Sequence, residues 1–595
     1  MDYAALVAVY DRLASTQSTT EKTAILAEQL AETPQEDLPM LVRLLRGQVF
    51  AAWHSADLGV SSSLASRAVA KATGLSEDDI ESDWRETGDL GDAAARAVEK
   101  QVQQSLFSDP LTVERVYDTL QSLADLDGAG SESRRVDEVA GLLSDADPDE
   151  ARYVVRTALG HLRLGIGEGT VRDAIAEAFL DEPDSEAVER ALQVTNDAGV
   201  VAQTAASEGR DGLDDLELAV HRPVKVMLAE KSDSIADALA DAGGGGEETD
   251  DAGSDADAPD DGTVSLDAFA DDGDADAGAH EGTAPLVEYK VDGFRAQVHA
   301  TPEETRVFTR RLEDVTHQFP DVVAAVEDAF DADSFVLEGE VLGYDPETER
   351  PVPFQQLSRR IKRKYDVEQL AAEVPVVLYA FDLLAVDGET LLEATLSDRV
   401  AELEARLEPE DLAVERMPNR TTADADEAAA FYEDALAAGH EGVMVKNPTA
   451  TYQPGKRVGY MLKVKPTMEP LDLTITRAKW SEGRRSNNLG RLYLGCRDPE
   501  TDEFRDIGRL STGFSDEQLA DLTERLEDAI VAEDGRAVDL EPREVIEVAY
   551  EEIQASPEYD SGYALRFPRF EGFRDDVGLD EVDSLERVER LYEDQ

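Results

Sequence analysis

Over the first third of the chain, apolar residues recur every three or four positions. They do so at 6–13, 24–30, 39–45, 113–123, 152–162 and 170–179, and a stripe of that period predicts amphipathic helices. Glycines and Asp-Pro steps break these runs, as helix ends do. Residues 221–229 read as strand-like. From Pro285 the texture changes to short runs rich in Val, Leu, Phe and Tyr, at 285–291, 296–299, 307–314, 334–342, 376–384, 439–446 and 461–466. These predict strands with a few helices between them. A third stretch offers strands at 472–477, 489–496 and 504–510, a helix at 516–532 and a strand at 545–550. The pattern divides the chain into an all-α part (1–215), an α+β part (216–467) and a small β-barrel with one helix (468–595).

Length agrees, since 595 residues correspond to about three domains. Composition narrows the setting. Cys496 is the only cysteine, which excludes internal disulfides and a multi-cysteine zinc site. No apolar run approaches the ~20 residues of a membrane helix. Met1-Asp2-Tyr3 opens no basic segment followed by an apolar one, so a cytoplasmic chain is expected. The net charge of −74, from 131 acidic and 57 basic residues, argues by itself against a nucleic-acid partner. It suits a protein in very concentrated salt, where the Debye length falls to about 3 Å and an acidic surface serves solubility. Residues 241–283, dominated by Asp, Ala, Gly and Glu, contain no Lys or Arg and are expected to be a disordered acidic insert.

The chemistry gathers at Glu288-Tyr289-Lys290-Val291-Asp292-Gly293-Phe294-Arg295. It reads as a strand, a tight Asp-Gly turn and a second strand. A lysine at the end of an apolar strand can be partly desolvated, which favours the neutral, nucleophilic amine. Gly293 would let a base or phosphate approach the backbone, and Arg295 could pair with phosphate. A plain hairpin with a surface lysine is the alternative. Residues 162–171, a glycine-rich turn into a helix capped by Thr170 or Gly169, offer backbone N–H groups to an anion, or form an ordinary helix–helix turn. Gln103-Gln104-Ser105-Leu106-Phe107 could plug into a partner's pocket or simply close a helix. Two basic clusters, Arg484-Arg485-Ser486-Asn487-Asn488 and Arg566-Phe567-Pro568-Arg569-Phe570, interrupt the acidic background. The barrel around them reads as an OB-fold, and a solvated loop is the alternative for the first cluster.

In order, the chain presents Glu288-x-Lys290-x-Asp292-Gly293-x-Arg295, Arg310, Glu340, Phe381, Glu441-Gly442-x-Met444-x-Lys446, Lys463-x-Lys465 and the Arg566–Phe570 run with Arg574. This set resembles the motifs of the covalent-lysine nucleotidyltransferases, and specifically those of ATP-dependent DNA ligases of the archaeal and eukaryotic replicative type. The resemblance implies a helical DNA-binding domain, a nucleotidyltransferase (adenylation) domain and an OB-fold domain. It implies nick sealing in duplex DNA during replication, recombination and repair, with ATP and Mg²⁺. Lys290 would become lysyl-AMP. Arg295 and Arg310 would hold ribose, phosphate or the 5′-phosphate of the nick, and Glu340 ribose or metal. Phe381 would stack on adenine while Glu288 helps read its edge. Glu441 would be a Mg²⁺ carboxylate, and Arg457, Lys463 and Lys465 would neutralise the α-phosphate. Gln103 to Phe107 is similar to a sliding-clamp-binding peptide, with Leu106 where an aromatic often stands, and a monomer is expected. The last motif departs from the family pattern, because Val577 stands where a lysine is usual. Capping enzymes and RNA ligases share the lysine chemistry, and a non-catalytic DNA-binding scaffold could share the fold. The helical N-terminal part and the 162–171 signature favour DNA ligase, and the single cysteine disfavours the NAD-dependent family.

Overall fold

A computed structural model describes residues 1–593 apart from 52, 55, 101–109, 129, 182, 244–282, 362, 364–366, 467, 482–487, 500 and 502. The 103–107 peptide, residues 484–487 and nearly all of the acidic insert therefore lie outside the described residues. The described residues up to Val464 form one compact unit, and those from Lys465 onward form a second.

The first unit begins with α1 (Tyr3–Ser15), α2 (Thr19–Ala31), α3 (Leu38–Leu45), α4 (Ser62–Thr73), α5 (Glu77–Thr87), α6 (Leu90–Glu99), α7 (Val113–Ser122), α8 (Ser131–Asp145), α9 (Pro148–Ala158), α10 (Glu168–Phe179), α11 (Ser185–Thr195) and α12 (Ala198–Asp214). Ser, Thr or Asp side chains cap the N-termini of α2, α4, α5, α6, α7, α9, α11 and α12, accepting N–H groups that the helix cannot satisfy itself. The apolar stripes meet in one core around Leu6, Tyr10, Leu44, Val116, Val154 and Val201.

Two sheets follow. The first runs β1 (Leu228–Lys231), β11 (Arg457–Val464), β10 (Gly442–Lys446), β2 (Leu286–Lys290) and β9 (Asn419–Thr421). The second runs β4 (Thr305–Thr309), β3 (Phe294–Ala300), β5 (Phe335–Gly343), β6 (Val376–Val386) and β7 (Glu389–Thr390), with β8 (Val414–Arg416) on β6. Helices α13 (Ile235–Gly243) and α18 (Ala425–Ala437) pack on the first sheet, while α14 (Pro320–Ala329), α15 (Phe354–Ile361), α16 (Val367–Glu373) and α17 (Leu396–Arg406) belong with the second. The Pro285 ring lies 3.8 Å from where a Cβ on Gly243 would stand, so these two residues are neighbours in the fold.

Of the strand expected at 221–229, only its end is one. The preceding residues are held by side chains of β3 instead. Val224 N–H donates to Gln297 Oε1 (3.1 Å), and Gln297 Nε2 donates back to Val224 O (2.9 Å). His221 N–H donates to Nδ1 of the fully buried His299 (3.1 Å), which leaves Nε2 carrying the proton, 3.4 Å from Gln297 Oε1. Burial, aided by His221 and Arg306, pushes this imidazole down to about 3. Its contribution to stability is therefore complete above the unfolded value of about 6.5 and is lost as pH falls toward 3. In denaturant titrations from pH 7 to pH 4, His299→Gln is expected to lose less stability than wild type. The difference should grow by roughly 1.4 kcal/mol per pH unit below about 6.

The second unit is β-rich. It contains β12 (Leu471–Trp480), β13 (Leu489–Arg497), β14 (Phe504–Leu510), β15 (Ile530–Asp534), β16 (Ala537–Leu540), β17 (Val545–Ala549), β18 (Glu552–Ala555), β19 (Tyr563–Arg566) and β20 (Arg569–Phe573), with α19 (Asp516–Glu527) and α20 (Leu585–Glu593). Its main sheet runs β14-β13-β12-β16-β15, with β17 on β12 and β20 on β17. Helix α19 ends at Glu527 rather than at 532. Residues 530–534 turn back through Gly535, at φ +61°, to pair with β16, and glycine takes that φ without a Cβ clash.

Candidate active site

Alternation along β2 sends its side chains two ways. Val287 and Tyr289 pack with Val443, Val445, Leu462, Phe431 and Ala238 beneath α13 and α18. Glu288 and Lys290 face the other way. Across the ladder, Lys290 stands opposite Gly442 and Glu288 opposite Met444, which in turn stands opposite Lys463. Glu288, Lys290, Lys446 and Lys463 thus share one face. In the second sheet, Phe294, Ala296 and Val341 enter the core, and Arg295 stands opposite Glu340 on the other face.

The expected hairpin is absent. Strands β2 and β3 belong to different sheets, and Val291-Asp292-Gly293 carry the chain from one to the other. Gly293 is required by the protein itself rather than by a ligand. A Cβ there would stand 2.3 Å from Val341 O and 3.0 Å from Glu340 Cγ, so the close approach is that of β5.

Lys290 therefore ends one sheet where the second begins. Its ammonium pairs with the Glu441 carboxylate, and Glu441 N–H donates to Lys290 O (2.8 Å). Burial pushes the amine down, but Glu441, then Glu340 and Asp292, outweigh it and hold Lys290 above its ordinary value. Against the expectation of a desolvated, neutral amine, these carboxylates favour the ammonium in the free protein. Burial raises Glu340 to about 7, with Lys290 and Arg295 opposing and Glu441 and Asp292 reinforcing the shift. Asp292 Oδ2 also accepts the Phe354 N–H (3.2 Å) at the start of α15. Carboxylates crowded on a single amine would be relieved by a divalent cation. No cluster of three or more metal-ligating side chains occurs among the described residues. Glu340 and Glu441 nevertheless suit Mg²⁺, which needs only one or two carboxylates and keeps several waters.

Arg295 pairs with the fully buried Glu338, and its Nη1 donates to Met227 O (2.7 Å). Its Nε is buried with no hydrogen-bond partner among the described residues. The guanidinium lies 5.2 Å from the Phe381 ring centre and Lys446 Nζ lies 4.5 Å from it, so cations already line the ring proposed to stack on a base. Lys446 pairs with Glu288, which is 1% exposed. Arg310 is exposed. Desolvation, Arg295 and Arg457 lower it against the pull of Glu340, a crowding of cations that an anion would relieve. Arg457 donates to Ala229 O (3.1 Å). Lys463 is half-buried, and Lys465 lies one residue past β11, where the second unit begins.

Glu338 and Arg416 on the second sheet, and Asp292 between the two sheets, are further polar residues that sequence reasoning gave no role. Glu338 falls two residues before Glu340 on β5, a signal that was available. In the helical part, α10 starts at Glu168 with Gly167 as its cap, not at Thr170 or Gly169. The turn before it is braced by Lys22, whose Nζ donates to Leu164 O (2.7 Å) and Gly165 O (2.9 Å). In the second unit, Arg566 pairs with Glu552 (3.0 Å) and Arg574 with Asp472 (2.8 Å).

A helical N-terminal domain, a two-sheet adenylation domain with its lysine at the crossing, and a β-rich C-terminal domain define the class of nucleotide-dependent ligases. Three family models match in the same order: DNA ligase N terminus over residues 2–176, ATP dependent DNA ligase domain over 226–465 and ATP dependent DNA ligase C terminal region over 485–577. A DNA ligase of Thermococcus fumicolans is 40% identical over all of this chain and 98% of its own length. A DNA ligase of Natronomonas pharaonis is 43% identical over 96% of each chain. A solved structure named Pmar-Lig_PreS3 shares the fold, with a TM-score of 0.54 and 16% identity over 96% of this chain and 99% of that one. The chain belongs to the ATP-dependent DNA ligase family, and its activity is the sealing of nicks in DNA.

Proposed function

We propose that sealing runs through Lys290, and that the cleft between the two sheets, lined by Arg295, Phe381, Lys446 and Met461, holds ATP for that step. The observation that carries this is the position of the Lys290 amine, paired with Glu441 at the crossing and near Glu340, which Arg295 also faces. Lys290 gives up its proton and attacks the α-phosphorus of ATP. Pyrophosphate leaves and lysyl-AMP remains. The 5′-phosphate of the nick then takes the AMP from Lys290, and the 3′-hydroxyl attacks that phosphate and expels AMP. Such transfers depend on in-line positioning and charge neutralisation. Glu340 and Glu441 would hold Mg²⁺, which when bound neutralises phosphate charge. Arg295 and Arg310 hold the ribose–phosphate end or the 5′-phosphate of the nick, and Phe381 meets the base. Arg457, Lys463 and Lys465 counter charge on the α-phosphate. Glu288, held between Arg416 and Lys446, helps read the edge of the base.

Domain limits at 1–215, 216–467 and 468–595, an OB-fold in the last, a monomeric state, a cytoplasmic setting in strong salt and a clamp contact through Gln103 to Phe107 complete the proposal. No helix among the described residues is long and apolar enough to cross a membrane. The test uses α-labelled ATP and Mg²⁺ in molar KCl, followed by a denaturing gel. The expected result is a labelled chain that nicked duplex DNA discharges. A label that nicked DNA leaves in place, and that only an RNA acceptor removes, overturns the reading.

A further inference from the structure

We infer that Arg416 is a positioning residue for the nucleotide, fixing the base end of the cleft by tying its two sheets together. The inference rests on the cleft being the ATP site proposed above. Arg416 ends β8, opposite Ala380 of the second sheet. Its Nη1 donates to Ala380 O (3.2 Å), and Nη1 and Nη2 both reach Oε1 of Glu288 on β2 of the first sheet (3.1 Å each). The other oxygen of Glu288 pairs with Lys446, whose ammonium stands 4.5 Å from the Phe381 ring centre. The side chains of Arg416, Glu288 and Lys446 are 12%, 2% and 8% exposed. Pairs this dry escape screening in strong salt, and Arg416 on one oxygen with Lys446 on the other holds the Glu288 carboxylate from both sides. With Arg416 in place, Glu288 cannot swing, Lys446 stays over the ring, and the gap beside Phe381 keeps one width. Without it, Glu288 keeps only Lys446 as a partner and water reaches the buried carboxylate.

Arg416 does not touch Lys290, so its loss should weaken nucleotide binding and leave the chemical step nearly intact. The test compares wild type, Arg416→Met and Arg416→Lys in molar KCl, each first checked for a cooperative unfolding transition. Equilibrium binding of ATP and GTP is measured in EDTA, and the single-turnover adenylation rate at saturating ATP is measured with Mg²⁺. Arg416→Met is expected to raise the Kd for ATP about tenfold or more and to narrow the ATP/GTP preference, with the saturated rate within about twofold of wild type. Arg416→Lys, which keeps one donor and the charge, should recover part of the affinity. An unchanged Kd and preference in Arg416→Met overturns the inference. So does a saturated rate that falls as far as the affinity, since that marks general damage to the fold. If Arg416→Met does not fold, the same two outcomes are read from Arg416→Lys. A wild type that binds ATP but takes no label overturns the lysyl-AMP reading, while the binding comparison still decides the role of Arg416.

Discussion

Lys290→Arg is expected to lose self-adenylation by on the order of 10⁴-fold or more while its stability stays within about 1 kcal/mol of wild type. Arginine keeps the charge that Glu441, Glu340 and Asp292 surround, so the carboxylates remain partnered. Its guanidinium cannot shed a proton at any usable pH, so no nucleophile forms. Gel labelling with α-labelled ATP measures the loss. A nick whose 5′-phosphate already carries AMP supplies the control, because its sealing bypasses Lys290 as nucleophile and should persist in the variant. A labelled Lys290→Arg protein would place the nucleophile elsewhere.

The second large effect concerns stability. Arg399, on α17, and Asp382, on β6, are 1% and 5% exposed and bond through two parallel contacts of 2.7 and 3.0 Å. Arg399 also donates to Ala394 O (2.7 Å). Removing one partner strands the other charge in the interior, so Arg399→Met should cost about 3–5 kcal/mol. That corresponds to roughly 6–20 °C in the unfolding midpoint for a domain of this size. Scanning calorimetry in molar KCl measures it. The loss should survive the salt, unlike that of the exposed Arg12–Glu28 pair, since buried pairs are screened far less. Replacing both partners, Arg399→Met with Asp382→Leu, should recover most of the stability, because the stranded charge is gone. A double variant as unstable as the single one would assign the cost to packing around α17. Asp382 follows Phe381 in sequence, so the single variant should also weaken nucleotide binding.

What the sequence made legible follows from period. Helices α1, α2, α3, α7, α9 and α10 and strands β5, β6, β10 and β13 carry their stripes or apolar runs in plain view. Lys290 and Glu288 share a face because they stand two positions apart on one strand. Less regular stretches hid α4 and α6, where alanines carry much of the packing, and α5, where Ile80 is the one buried apolar residue. The turn at Asp292-Gly293 was locally visible, but whether two strands pair with each other or join different sheets depends on partners 50 to 150 residues away, such as Val341 and Glu441. The same limit hid Arg416, which meets Glu288 only through folding. The protonation of Lys290 was misjudged for a related reason: burial can be read from an apolar strand, whereas the opposing carboxylates come from three separate strands and loops.

The meeting of Gly243 with Pro285 has a consequence for how this chain can vary. Helix α13 lies on the side of the first sheet that holds Val287 and Val443, the reverse of the side that presents Lys290. Gly243 and Pro285 meet on that reverse side, at a single port. Closing a loop at such a port costs only about 0.6 kcal/mol for each doubling of its length. The length and composition of whatever joins two such neighbours are therefore free variables of the fold. They can be tuned to the surrounding solvent without any adjustment of the cleft on the other side.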